Sequence, residues 1–252
     1  MSEQKTNDYE TLERLILEKE DLLREAEQLR LGYLKEFGDY VAETYQAKME
    51  CIRIKKMIAY CDAFKEKGKP INKAELEVYV ENDMKSFEKA YSDLIEDIAD
   101  IRNTPVMSGA KEYRFKRMFA RLAKRIHPQL RPETLKNSVL NEYWNQITTA
   151  YRFNNYDILK ELSRLVQTWL KEHPDAFHGE PVTASAELIQ GIEEEIQTIT
   201  SNYPYLYRYI LESEIERNGQ IQEFESETEN YRNYAKQLEQ QLETYKIEDL
   251  FA

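Results

Sequence analysis

Long apolar runs are what this sequence lacks most plainly. No stretch of about 18 apolar residues occurs in its 252 positions, so no membrane-spanning helix is expected. The opening Met-Ser-Glu-Gln-Lys-Thr-Asn-Asp has no apolar core behind it, and no signal peptide is expected either. Cysteine is nearly absent. Cys51 and Cys61 lack metal-ligand spacing and suggest no disulfide framework. His173 and His178 flank Pro174 without further ligand partners, so no metal site is assigned. P-loop, dinucleotide and His-Glu-x-x-His motifs are missing. These absences together read as a protein of a reducing cytoplasm. Glycine and proline, seven of each, are few for this length, and charged residues make up 33 % of the chain. With Glu, Lys, Leu, Gln and Tyr prominent, that mix points to helices and coiled coil.

Charge is unevenly spread. The net charge is −12, yet Lys111 to Arg131 carries eight basic residues against the single acid Glu112. That segment is +7, which leaves −19 for the remainder. A basic island in an acidic chain implies one localised electrostatic contact, since the field elsewhere repels a polyanion. Nucleic acid is therefore not an expected partner.

Apolar spacing divides the chain into helical tracts. Leu12, Leu15, Leu22, Ala26, Leu29 and Tyr33 begin a 3–4 pattern that predicts one helix from Asp8 to about Lys67. Gly68-Lys69-Pro70 is a stop signal, and Asn72 with Glu75 is a capping-box start. Val80, Met84, Phe87, Tyr91, Leu94, Ile98 and Ile101 then alternate by four and three, a coiled-coil seam. A second seam runs through Ile221, Phe224, Thr228, Tyr231, Ala235, Leu238, Leu242 and Tyr245. Tyr203, Tyr205, Tyr207 and Tyr209 are read as the first turns of a tyrosine-rich helix. The short connection after Lys67 favours an antiparallel hairpin. Its second helix is the shorter, so the unpaired part of the first is expected on the C-terminal seam or on a second copy, as a homodimer. The fold class expected is all-α: long antiparallel coiled-coil helices around a small central helical domain. Its divisions are residues 1–104, 110–173 and 183–252.

The central segment carries the only pattern that suggests a task. On a helix through Arg114 to Ile126, Phe115, Phe119, Leu122 and Ile126 share one face. Arg114, Arg117, Arg121, Lys124 and Arg125 occupy another. His127-Pro128 ends the helix, because proline disfavours helical backbone in the residue before it. A second helix is expected to hold Leu135, Leu140, Trp144, Ile147 and Tyr151, and a further one Ile158 to Trp169. Leu-Ala-Lys-Arg-Ile-His-Pro, followed by the pair Ala150-Tyr151, resembles helix II, the His-Pro-Asp loop and helix III of the DnaJ-type J domain. The resemblance covers Lys111 to about Leu165.

That resemblance implies a docking role. Arg114, Arg117, Arg121, Lys124 and Arg125 match the basic face that meets an acidic surface on a DnaK-type chaperone. His127 and Pro128 match the loop that couples this contact to ATP hydrolysis. Gln129 departs from the family, whose aspartate stands there, and glutamine cannot replace a charge-assisted bond. An exposed loop tip is expected for Gln129. No nucleophile or paired carboxylate accompanies His127, so neither enzyme activity, catalytic residue nor cofactor is expected. The reading is a non-enzymatic J-like adaptor or degenerate co-chaperone that also engages an unidentified client. Its rival is a structural coiled-coil scaffold whose J-like domain is only a packing module.

Overall fold

The computed structural model describes residues 2–103, 107, 109–176, 182, 184–245 and 247–248. The fold is all-α. Its long first helix, α1, spans Ser2–Glu66. Strand β1 (Ile71–Asn72) precedes α2 (Lys73–Asn103), and α3 (Gly109–Ile126), α4 (Glu133–Lys136), α5 (Ser138–Arg152) and α6 (Tyr156–Glu172) follow. The remaining elements are α7 (Ala186–Thr200), α8 (Tyr207–Glu212), α9 (Glu214–Leu242) and β2 (Ile247–Glu248). Among the described residues no helix is long and apolar enough to cross a membrane.

Local chemistry sets the boundaries. Past the end of α1, Gly68 takes a φ of +63°. Its N–H donates to the Lys65 carbonyl and that of Lys69 to the Phe64 carbonyl, both at 3.0 Å. These two bonds make a Schellman stop, which glycine favours because it carries no Cβ. Asn72 Oδ1 accepts from the amides of Ala74 and Glu75 and starts α2. Leu135 does not share a helix with Trp144: Asn137 accepts from the Val139 and Leu140 amides, opening α5 afresh and leaving Leu135 exposed on α4. Tyr203 and Tyr205 likewise lie in turns ahead of α8, which begins at Tyr207.

Two compact units result: Met1–Leu31 with Pro105–Arg208, and Gly32–Thr104 with Tyr209–Ala252. They do not follow the three tracts of the sequence, because α1 serves both. In the second unit α1 and α2 run antiparallel, tied by Lys56–Asp83 at 2.7 Å, Arg53–Glu88 at 2.9 Å and Arg102–Asp39 at 2.7 Å. α9 runs parallel to α1, with Phe224 against Phe37, Thr228 bonded to Thr44 and Tyr245 bonded to Asp62. The heptad-spaced residues are the ones turned inward. Val80, Met84 and Ile98 of α2 are buried, as are Thr228, Ala235 and Leu238 of α9. Cys51 and Cys61 are buried free thiols of this unit, with desolvation pushing both thiol pKa values up.

The first unit holds two apolar clusters. One is built from α3, α5 and α6 around Phe115, Phe119, Leu122, Trp144, Tyr151 and Leu162. The other joins Leu12, Leu15 and Ile16 of α1 to Leu130, which follows the His-Pro-Gln tripeptide, and to Ile192 of α7.

Candidate functional site

The amphipathic reading of α3 holds at the level of side chains. Phe115, Met118, Phe119, Leu122, Ala123 and Ile126 are buried. Arg114, Arg117, Arg121 and Arg125 are exposed and recur at three- and four-residue intervals, which places them in one stripe. No ion pair holds any of the four among the described residues. Arg121 Nε donates to the Arg117 carbonyl, and the Arg117 guanidinium lies 5.6 Å from the Tyr113 ring centre. The basic residues nearer α1 are engaged. Lys124 pairs with Glu13 at 2.7 Å and Lys116 with Asp21 at 3.7 Å, so the two helices run antiparallel. Lys124 is thus separated from the free stripe.

The His127-Pro128-Gln129 loop is not a tip in solvent, and the expectation for Gln129 is corrected. His127 is 3 % exposed, edge-on to Trp144 with ring centres 4.6 Å apart. Its Nδ1 accepts from the Gln129 amide at 3.1 Å. That bond leaves the ring proton on Nε2, which points at Glu20 Oε1 across 3.5 Å, too far for a strong hydrogen bond. Burial drives the His127 pKa below its ordinary value, while the nearby Glu20 carboxylate pulls the other way. Gln129 is half-buried. Its side-chain oxygen accepts from Lys19 Nζ at 2.7 Å, and the same ammonium pairs with Glu195 of α7 at 2.8 Å. Lys19 itself is only 7 % exposed. Leu130 is fully buried directly after them.

A second polar contact ties α1 to the end of α5. Arg24 donates through Nε to Asn154 Oδ1 at 2.7 Å and through both terminal nitrogens to Glu112 at 3.2 Å. Its guanidinium lies 5.6 and 5.4 Å from the ring centres of Phe115 and Tyr151. The Tyr151 hydroxyl donates to Asp21, and burial followed by this bond raises the phenol pKa. Gln28 donates to the Arg152 carbonyl at 2.8 Å. Asn154, at φ 56°, closes the contact by donating to Gln28 at 2.6 Å.

Sequence reasoning missed Lys19, Glu20, Asp21 and Arg24 altogether. In a long charged helix they read as a solvated face, and no spacing rule marks them. Between α1 and α3 lies an open cleft of about 290 Å³. Leu17, Phe119, Ala120 and the ring of Tyr113 give it a largely apolar lining, and Asp21, Lys116 and Arg117 supply its charges. Among the described residues no cluster of three or more His, Cys, Asp or Glu is placed to hold a metal ion, and His178 lies outside them. No family model, curated protein or solved structure matches the chain.

Proposed function

We propose that the protein is a non-enzymatic adaptor that docks an acidic protein surface through Arg114, Arg117, Arg121 and Arg125. The carrying observation is the contrast between the two halves of the J-like motif. The arginine stripe is exposed and unpaired, whereas His127 is buried against Trp144 of α5, and Gln129 and Leu130 are spent on contacts with α1 and α7. A J-like module used this way keeps its docking helix and turns its loop into a packing element. Four guanidinium groups on one stripe suit bidentate pairing with carboxylates, for which arginine is better shaped than lysine.

A DnaK-type chaperone is the first acidic partner to test, because of the resemblance. The full chain is expected to give no stimulation of chaperone ATP hydrolysis. Gln129→Asp alone is expected to leave that unchanged, since the new carboxylate meets Lys19. Robust stimulation by either protein would restore the co-chaperone reading. For docking itself, the full chain and an Arg117→Glu, Arg121→Glu, Arg125→Glu variant are used as baits in lysate of the source cells. Partners lost on charge reversal are expected to be acidic proteins. An identical partner set from both baits would favour the structural scaffold, and recovery of nucleic acid would replace the acidic protein surface altogether.

A further inference from the structure

The cleft beside the arginine stripe is apolar with Lys116 and Arg117 at its border, and α9 carries an exposed isoleucine between two acids. Ile215 is 81 % exposed, the most exposed large hydrophobic side chain among the described residues. It stands in the first turn of α9, started by Ser213, whose hydroxyl accepts from the Glu216 amide at 3.3 Å. Exposed Glu214 and Glu216 flank it in sequence. An isolated exposed isoleucine is ordinary on a protein surface. Here, however, the same chain also carries an unfilled apolar cleft of about 290 Å³ bordered by cations. That volume is at the small end for ligand pockets, about 300–1,000 Å³, and leaves room for an isoleucine together with neighbouring groups of the same helical turn.

We propose that a second copy of this chain docks here, with its Ile215 in the cleft of α1 and α3. Its Glu214 and Glu216 are set against Arg117 and Arg121. This deepens the docking role given above to the arginine stripe and rests on it, naming the acidic partner surface as the chain's own. The lone acid in the cleft does not oppose the contact strongly. Asp21 already accepts from the Tyr151 hydroxyl and lies 3.7 Å from Lys116. Knob and hole are different surfaces of one chain, so the contact is head-to-tail. Such contacts close into rings or extend as open chains. The free stripe beyond Arg121 stays available for other acidic proteins.

The test is sedimentation of the full-length protein over a wide concentration range at low salt. Self-association is expected to grow past the dimer with concentration and to weaken as salt screens the charges. Ile215→Asp and Arg117→Glu are each expected to weaken it by at least about tenfold, from the lost apolar burial or the reversed charge. Both positions are exposed, and unchanged far-ultraviolet circular dichroism checks that each variant folds. The decisive sample is the mixture. Ile215→Asp keeps its cleft and Arg117→Glu keeps its knob, so together they should form a heterodimer that neither forms alone. A wild type that stays monomeric throughout overturns the inference and leaves the pull-down to judge the adaptor role separately. Self-association indifferent to both substitutions also overturns it, as does a mixture that remains monomeric.

Discussion

His127 and Gln129 show how far a burial environment changes the meaning of a residue. His127 is buried against Trp144, and the Glu20, Lys19 and Glu195 side chains are the charged groups that act on it. Desolvation puts its native-state pKa below the unfolded value of about 6.5. The unfolded chain therefore takes up this proton first as the pH falls. The His127 contribution is intact above about pH 6.5 and is lost as the pH drops from there toward the native pKa. The urea midpoint should accordingly fall on acidification from about pH 7 to pH 5.5, and His127→Gln should flatten that part of the profile. An equally steep profile in the variant would show that other groups drive it. Gln129→Ala should cost about 1 kcal/mol in denaturant unfolding, because Lys19 loses one of its two acceptors in a half-buried site. A loss near zero would return Gln129 to the role of an ordinary surface residue.

Two helical glycines should respond with opposite signs to the same substitution. A Cβ at Gly38 in α1 would stand 3.0 Å from two carbons of Ile98, itself buried in α2. At Gly191 in α7 the same atom meets nothing within 4 Å. Alanine gains about 1 kcal/mol of helix propensity at either place. At Gly38 that gain is outweighed by overpacking of about 1–3 kcal/mol. Gly191→Ala should thus raise the melting temperature and Gly38→Ala lower it, as thermal unfolding would record. The element scale is also where the sequence was most readable. Seams such as Val80-Met84-Ile98 or Thr228-Ala235-Leu238 mark which face is inward, since only one face of a helix repeats every seven residues. They do not say what lies opposite. Residues 32–66 of α1 take both α2 and α9 as partners, although a heptad pattern reads the same for either. The basic stripe of α3 was legible for the same reason as the seams. The cover over its loop was not: it depends on Leu130 and Ile192 meeting Leu12, Leu15 and Ile16, and nothing local in the sequence links three such distant segments.

At the scale of the whole molecule, chain order and compact unit part company. The first unit draws on Met1–Leu31 and Pro105–Arg208, and the second on the two remaining stretches. Removing residues 1–31 should therefore damage a domain whose sequence lies mostly elsewhere. It strips Leu12, Leu15 and Ile16 from Leu130 and Ile192, and Arg24 from Glu112 and Asn154. Hydrogen exchange should then lose protection across Leu130 and α7 while α2 and α9 remain protected. Retained protection around Leu130 would show that α7 suffices to cover the loop. The shared helix has a further consequence at the ribosome. Translation delivers α1 first, yet the loop that covers its early turns lies roughly a hundred residues downstream, about 5–20 s later. The partner of its later turns in α9 comes later still. During that interval Leu12, Ile16 and Ile54 are displayed by a nascent chain with no fold to bury them. The order of synthesis thus sets these apolar faces of α1 before every segment that buries them.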